Sequence, residues 1–501
     1  MKLNYNSLIQ YSLYALTFCL SAYILYSFGT HVHFDPWVSP KIYPSFALAN
    51  GVDLFQQKEG PFILTIYGPG SSLFYLPVSL GTSPKQCIWI AYFMNLTVIL
   101  SFLYALFFKG IRFKHLSTYI FMAFALLFFL LIEETTKSLF QVHHDIPVLA
   151  YLFVGSYFIT GKYPVNYNYR ILLGTLFIWL ACWTKILAVP WLLLPILQLI
   201  ALGKLNFSSL IKAILPTIGT GLITFTIFSL LFGADDLRFH LFESTNSYPW
   251  RICNSLFGDS EEALVANDFL SKVVILCRMM LLYVLEYWWM VMAAAIIALS
   301  NFNKKSERIL VYLVGCYFLA LPTCLSALAK FGGVENSLVF AHTPAIAAIF
   351  LQVAKIIERN HFSKHLKLIL SLTVLIFFAA GGFRLAKTVL KDPSDSPLQL
   401  AYEYLLKNPE NPVYFALSPL PNYLVTGKIG DSGEALTYST MMKDDALPID
   451  AGMDFLTYTD FVAFGKPPYS RSYFHRKLNL EKVKSPLGLK SWSIYKASPK
   501  N

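Results

Sequence analysis

The sequence is organised around long apolar runs, and most of them approach the roughly 20 residues that a helix needs to cross a hydrocarbon layer of about 30 Å. Because lipid offers open strands no hydrogen-bond partners, these runs are predicted to be helices. The first has Lys2 before it and no small-residue cleavage pattern after it, so it is predicted to be retained. The fold class is therefore an all-α polytopic membrane protein of about eleven transmembrane helices. The predicted spans are approximately 8–28, 86–108, 118–132, 145–160, 171–187, 188–202, 213–233, 271–298, 309–328, 338–355 and 367–387.

Composition and charge agree with this prediction. Of the 501 residues, 56% are hydrophobic and only 14% are charged, which is unlike a soluble chain of this length. The net charge of +11 does not indicate a nucleic-acid partner, because many of the Lys and Arg residues lie in short loops between apolar runs. The loops on one predicted side carry Lys2, Lys109, Arg112, Lys114, Lys162, Arg170, Lys204, Lys212, Lys304, Lys305, Arg308, Arg359 and Lys364. The positive-inside rule makes that side cytoplasmic.

This orientation places loop 29–85, loop 234–270 and the tail outside the cytoplasm, in a protein of the plasma (inner) membrane. Loop 29–85 is rich in aromatic residues, and segments 36–50 and 70–80 are predicted to be helices on the membrane surface. The composition changes at residue 388. We therefore expect a transmembrane module over 1–387 and a small extracytoplasmic α/β domain over 388–501. Because most cysteines fall inside predicted spans, no disulfide framework is expected.

The first candidate for chemistry is Asp35, a few residues after the first span, in the sequence HVHFDPW. A carboxylate there has the chemistry to accept a proton from an attacking hydroxyl, or to hold a divalent cation such as Mg²⁺ or Mn²⁺ against a phosphate. The alternative is a solvated loop acid or a cap for a helix that begins at Pro36.

Further segments of interest follow on the same predicted outer face. They are FALANGVDLF at 46–55, YGPGSSLFYLP at 67–77, QVHHDIPVLAYLF at 141–153, LACWTKILAVPWLLLP at 180–195 and AKFGGVENSLVFAHTPAIAAI at 329–349. Together with Asp35, and in this order, they resemble the GT-C fold glycosyltransferases, which include protein O-mannosyltransferases and bacterial aminoarabinose transferases. The chain departs from the mannosyltransferases at the first motif, where Pro36 stands in place of a second acid.

The resemblance implies a sugar donor linked to a polyprenyl phosphate, an acceptor hydroxyl on a lipid, glycan or protein, and a hexosyl- or pentosyltransferase of the cell envelope. It implies catalytic roles for Asp35 and Asp145, which are also the metal ligands if a divalent cation is used. It implies donor-binding roles for Lys185, Tyr67, His144, Lys330 and Asn336.

Each of these residues also has a plain structural interpretation. Asp145 followed by Pro147 is a normal way to begin a helix. Lys185 is placed where a lysine can extend to the lipid headgroups. Lys330 and Asn336 flank a Gly-Gly pair that is equally typical of a tight turn between two spans. Glu286, inside a predicted span, has no partner that the sequence identifies.

Two other classes of protein fit a chain with many spans. A secondary transporter or flippase would be expected to show paired broken helices in two halves, and the sequence shows no such pair. A polysaccharide polymerase or ligase would share the lipid-linked substrates, but such proteins usually carry their large outer loop late, whereas here it comes first. The identities of the sugar and the acceptor are not encoded in any pattern of this sequence.

Overall fold

The computed structural model gives a mostly helical protein with a small sheet near its C-terminal end. The residues that it describes are 38–56, 60–63, 67–109, 122–123, 125–127, 129–130, 135–161, 167–243, 250, 256, 268–301, 308–330, 335–358, 397–432, 436, 452–465, 471–485, 489 and 492–500. The predicted spans 8–28 and 367–387 and the candidate base Asp35 lie outside these residues. Most of span 118–132 does so as well.

The helices of the membrane region follow the predicted apolar runs. They are α1 Val38–Ala49, α2 Gly70–Phe74, α3 Pro84–Tyr104, α4 Asp145–Thr160, α5 Tyr167–Cys182, α6 Leu194–Ala201, α7 Phe207–Phe232, α8 Ala234–Arg238, α9 Phe269–Glu286, α10 Trp288–Asn301, α11 Arg308–Leu328 and α12 Val339–Glu358. Short 3-10 helices cover Leu76–Leu80, Lys137–Phe140, Ile186–Leu193 and Glu335–Leu338, and π-helical turns cover Ala105–Lys109 and Phe239–Glu243.

A multi-pass membrane architecture is confirmed by these helices. In the described part of the chain, four helices are long and apolar enough to cross a membrane, or five if one bent pair counts as a single span. Three shorter apolar helices, Asp145–Thr160, Asn168–Cys182 and Ile186–Ala201, pack among them. The total of about eleven spans stays a prediction.

The predicted span 271–298 is wrong as one continuous helix. Helices α9 and α10 meet at Tyr287 with a bend of 86°. Because no Pro or Gly marks the break, the sequence gives no sign of it. The Tyr287 ring instead packs edge-on against His342 of α12, with ring centroids 4.7 Å apart. Glu286 is the last residue of α9, and its side chain is exposed.

The two helices predicted in the first outer loop are confirmed as α1 and as α2 with the 3-10 helix that follows it. The setting of α1 differs from the prediction, because Val38–Ala47 is buried inside the protein. The domain near the C-terminus covers it. Phe46 of α1 packs edge-on against Tyr423, with ring centroids 5.2 Å apart. Aromatic side chains that predicted a membrane surface therefore face another part of the chain.

The predicted small α/β domain is confirmed as a four-stranded sheet with short helices. Strand order is β1-β2-β4-β3, with β1 parallel to β2 and the other pairs antiparallel. Its elements are α13 Pro397–Lys407, β1 Tyr414–Phe415, α14 Leu420–Thr426, the 3-10 helix Asp454–Thr457, β2 Phe461–Phe464, α15 Arg471–Lys477, β3 Leu478–Val483 and β4 Ser493–Pro499. The predicted boundary at 387/388 lies outside the described residues.

Hydrogen bonds join this domain to the first outer loop. The Tyr43 hydroxyl donates to the Gly430 carbonyl at 2.9 Å and accepts from the Gly430 N–H at 2.8 Å. The Phe62 N–H donates to Asp431 Oδ1 at 2.7 Å, and the Ser432 N–H donates to the Phe62 carbonyl at 2.8 Å. The loop and the sheet also share one hydrophobic cluster. The domain therefore fixes the position of the outer loop that carries Tyr67.

Candidate functional site

The YGPG turn of the first outer loop lies directly against the end of α5. The Gly68 N–H donates to the Thr184 carbonyl at 3.2 Å, and the Gly70 N–H donates to the Trp183 carbonyl at 3.3 Å. A Cβ atom at Gly68 would overlap the Trp183 carbonyl oxygen. Glycine is thus required by the close approach of two backbones, and this approach brings the Tyr67 motif beside the Lys185 motif.

A second set of contacts holds segment 141–145 in place. The Asn95 side chain of α3 donates to the Gln141 carbonyl at 3.0 Å. The buried Tyr75 hydroxyl lies 2.9 Å from Asn95 Oδ1 and 3.1 Å from the His143 carbonyl oxygen. These hydrogen bonds between buried polar groups fix where α4 begins, and Asp145 is its first residue.

The Asp145 carboxylate is the centre of a buried charged cluster. Its side chain is fully buried, and its Oδ1 accepts from Lys185 Nζ at 2.8 Å. Its Oδ2 accepts from the Asn336 side-chain amide at 3.0 Å and lies 2.9 Å from His143 Nδ1. Three of the sequence motifs, from segments 141–153, 180–195 and 329–349, therefore meet at one carboxylate.

These contacts test two plain structural roles, a helix cap for Asp145 and extension to the lipid headgroups for Lys185. Asp145 lies inside the first turn of α4, where its oxygens bond to side chains from other segments. A capping role is not supported. Lys185 precedes the 3-10 helix Ile186–Leu193, and its side chain is only 13% exposed. Its ammonium is turned inward to Asp145, and it also lies 5.6 Å from the centroid of the Phe340 ring. Extension to the headgroups is not supported either.

A second buried group adjoins the cluster and contains His144. The Tyr67 ring stacks on the His144 ring, with centroids 4.0 Å apart and planes 30° apart. His144 Nδ1 lies 2.6 Å from Ser71 Oγ, and Lys41 Nζ lies 5.1 Å from the Tyr67 centroid. Burial, followed by the charge of Lys41, holds the pKa of His144 well below its usual value. The imidazole is therefore neutral near pH 7.

Comparisons with known proteins agree with this architecture. No family model and no curated protein matches the chain. A solved structure of ArnT from Cupriavidus metallidurans, bound to undecaprenyl phosphate, matches over 96% of this chain and 98% of that chain, with 12% identity and a TM-score of 0.53. The apo form of the same protein matches over 96% and 97%, with 11% identity and a TM-score of 0.52.

The chain has the fold of ArnT. ArnT is an aminoarabinose transferase of the GT-C fold, so the resemblance predicted from the sequence motifs is confirmed for the fold. At this low identity the likeness shows the fold alone. A shared fold does not determine the chemistry of the candidate site, which depends on the geometry of its own residues.

Lys330 and Asp35 are the remaining predicted site residues. Lys330, at the end of α11, forms an isolated antiparallel bridge with Trp250. Burial, and the nearby charge of Lys272, lower its pKa. The glycine pair that was expected to join Lys330 to Asn336 lies outside the described residues, as does Asp35. The structure brings Asn336 to the Asp145 carboxylate.

Sequence reasoning missed Lys41, Ser71 and His143. Lys41 lies on a helix predicted to rest on the membrane surface, where a lysine is ordinary, whereas in the structure it is buried. His143 lies in the same segment, but the donor-binding role was assigned to its neighbour His144. Ser71 was passed over because a serine after a turn is common. The one usable signal was the pair His143-His144 directly before an acid.

The described residues do not fit a resident divalent cation. Among them, no group of three or more His, Cys, Asp or Glu side chains converges to hold a metal. Asp145 already faces the Lys185 ammonium through Oδ1 and meets Asn336 and His143 through Oδ2. A divalent cation at this carboxylate would lie beside an ammonium group and be repelled by it. The described residues therefore offer a divalent cation no suitable site.

Proposed function

We propose that the chain is an integral membrane glycosyltransferase, which moves a sugar from a polyprenyl-phosphate donor to an acceptor hydroxyl on the extracytoplasmic face. The observation that carries the proposal is the meeting of separate sequence motifs at Asp145, beside the stacked Tyr67 and His144. The shared fold supports it, because the ArnT structure that the chain resembles is bound to undecaprenyl phosphate.

The proposed reaction forms one bond and breaks one. The acceptor oxygen attacks the anomeric carbon of the sugar, and the bond from that carbon to the phosphate oxygen breaks with inversion. The proton of the acceptor hydroxyl passes to the Asp35 carboxylate, which acts as general base. Polyprenyl phosphate leaves with the electron pair of the broken bond.

Lys185 is suited to stabilising the leaving phosphate. An ammonium group has three N–H donors, and the Asp145 carboxylate takes one of them. The others remain for phosphate oxygens, which form strong charge-assisted hydrogen bonds. Asp145, held by Asn336, fixes where the ammonium lies, so that little reorganisation is required during the reaction. Lys330 would add positive charge farther along the same predicted outer surface.

The proposal includes the orientation of the site, which is predicted to face away from the cytoplasm. Positive residues gather in the loops predicted to be cytoplasmic, which puts the candidate residues on the opposite side of the plasma membrane. A phosphatase fused after Asn501 should be active and one fused after Lys305 inactive. The reverse pattern would overturn both the orientation and the mechanism that uses it.

The function is tested by mass analysis of envelope glycolipids, glycans and glycoproteins from cells with and without the gene. One class of glycoconjugate should lack one sugar in cells without the gene, and the wild-type gene should restore it. The Asp35→Asn variant should fail to restore it when it is expressed at the same level. Unchanged glycoconjugates in the deletion strain would contradict the proposal.

A further inference from the structure

We propose that His342 is a positioning residue, which holds Asn336 in place against Asp145. The inference rests on the proposed function and deepens it by adding a residue for which the sequence predicts no role. It is carried by hydrogen bonds that join two stretches of the chain, residues 135–145 and 336–342, at both of their ends.

The two stretches meet first at the candidate site and again at a second contact between buried side chains. At the site, the Asn336 side-chain amide donates to Asp145 Oδ2 at 3.0 Å. At the other end, Thr135 Oγ1 lies 2.7 Å from His342 Nδ1, and both side chains are fully buried. This second hydrogen bond limits how far one stretch can slide past the other. It therefore limits where Asn336 can meet Asp145.

The His342 ring is held at both nitrogen atoms and against a neighbouring ring. Its Nε2 lies 3.0 Å from the Tyr283 hydroxyl, which lies 3.1 Å from the hydroxyl of Tyr317. The Tyr287 ring packs against the imidazole, with centroids 4.7 Å apart, at the bend between α9 and α10. Because a hydroxyl group can donate or accept, both nitrogen atoms can be satisfied in either neutral tautomer. His342 is therefore a fixed point from which residues 336–342 can be positioned.

The stretch 336–342 also borders the ammonium group that is proposed to bind the donor phosphate. Phe340 and His342 are both in the first turn of α12, and the centroid of the Phe340 ring lies 5.6 Å from Lys185 Nζ. A shift of this stretch would move the Phe340 ring and the Asn336 amide together. Displacements of about 1 Å are enough to cost a site much of its binding or activity.

The plain alternative is that His342 only holds helices together. Polar side chains commonly join membrane helices through hydrogen bonds, and that role affects stability alone. A histidine within a membrane span is also a candidate for function. The functional role is favoured because the bond from His342 to Thr135 joins the two stretches that carry Asn336 and Asp145.

The test is titration of the purified full-length protein in detergent with farnesyl phosphate, a short polyprenyl phosphate, and with farnesol, which lacks the phosphate. Thr135→Val removes the hydroxyl group and keeps the shape of the side chain, whereas Thr135→Ser keeps the hydroxyl and loses a methyl group. Thr135→Val should weaken farnesyl phosphate binding about three- to tenfold, the loss expected of one hydrogen bond. Thr135→Ser should bind within about twofold of the wild type. Farnesol binding should be unchanged in both variants.

The matched control is Thr97→Val. Thr97 is exposed, and its hydroxyl donates to the Phe93 carbonyl of its own helix at 2.8 Å. Loss of that hydroxyl should leave the affinity for farnesyl phosphate unchanged.

His342 supplies a second pair of variants. His342→Asn keeps an amide near the position of Nδ1, whereas His342→Gln reaches toward the position of Nε2. Since Nδ1 faces Thr135, the Asn variant should bind farnesyl phosphate clearly better than the Gln variant. Equal affinities in this pair would overturn the inference, whether or not Thr135→Val folds.

A combination with Asn336→Ala shows whether His342 acts through Asn336. Once that amide is removed, the stretch no longer has it to place against Asp145. Thr135→Val should then weaken farnesyl phosphate binding clearly less than it does in the wild-type background. Losses that add in full in the double variant would show that His342 does not act through Asn336, and would overturn the inference.

The outcomes separate this inference from the proposed function. If the wild-type protein does not bind farnesyl phosphate at all, the proposed function is contradicted and the inference with it. If the wild type binds and Thr135→Val binds equally well, His342 is not a positioning residue and the function stands. If Thr135→Val weakens farnesol and farnesyl phosphate alike, or if Thr135→Ser binds more weakly than Thr135→Val, the contact serves packing alone and the inference is overturned.

Discussion

The Asp145–Lys185 pair makes the sharpest prediction about stability. The Asp145 side chain is fully buried, the Lys185 side chain is 13% exposed, and their charged atoms are 2.8 Å apart. Removing one partner of such a pair leaves the other charge buried without compensation, which typically costs about 3–5 kcal/mol. Asp145→Asn and Lys185→Met should each lower the free energy of unfolding by that amount.

The double variant distinguishes a true pair from two separate structural roles. Two independent losses would add to about 6–10 kcal/mol, whereas removing both charges together leaves no uncompensated charge. The double variant should therefore lose no more than either single variant, with a coupling energy of at least about 3 kcal/mol. The assay is unfolding in mixed detergent and dodecyl sulfate micelles, followed by circular dichroism.

A capping role for Asp145 predicts a different result. Asparagine caps helices about as well as aspartate, so Asp145→Asn would then change stability by less than about 0.5 kcal/mol. Losses that add within about 0.5 kcal/mol in the double variant would show that the two side chains do not interact. Either result would refute the charged cluster as the centre of the site.

The remaining predictions concern backbone packing, the covering domain and metal dependence. Gly68→Ala should destabilise the protein by at least about 1–3 kcal/mol, because the new Cβ atom meets the Trp183 carbonyl. The control is Gly219→Ala, which lies in a helix with open space around it and should preserve or raise stability. Asp431→Ala should lower the free energy of unfolding by about 1–3 kcal/mol and speed hydrogen exchange at residues 60–63, because the Phe62 N–H loses its acceptor. Asp431→Asn keeps an acceptor oxygen and should have a smaller effect. Chelation with EDTA should leave sugar transfer unchanged; a loss that Mg²⁺ or Mn²⁺ restores would show that a divalent cation is required.

The meeting of the motifs was accessible to sequence reasoning because it follows from topology. Apolar runs and positive loops put segments 141–153, 180–195 and 329–349 on one predicted face, and the structure brings residues from all three to Asp145. What the sequence did not reveal is which groups bond to one another. Asp145 was predicted to be catalytic and Lys185 to bind the donor, whereas the two side chains also bind each other across 40 residues of sequence.

The parts of the fold that sequence reasoning missed depend on contacts between distant elements. Helix α9 ends at Glu286 without any Pro or Gly nearby, and the ring of the next residue, Tyr287, packs against His342 of another helix. The burial of Lys41 could not be predicted either, because no pattern in its own segment shows that the helix would be buried inside the protein. Local patterns report helices and their exposed faces, but they carry no information about which later segment buries them.

The most direct test of the account is turnover of the donor itself. Lipids extracted from cells that lack the gene should contain accumulated polyprenyl-phosphate sugar, which can be incubated with the purified protein and an envelope fraction from the same cells. Mass spectrometry should show loss of the lipid-linked sugar and release of free polyprenyl phosphate with the wild-type protein. Asp35→Asn should slow this release by about 10²-fold or more, the contribution expected of a general base. A donor pool that the wild-type protein leaves unchanged would contradict the assignment as a glycosyltransferase.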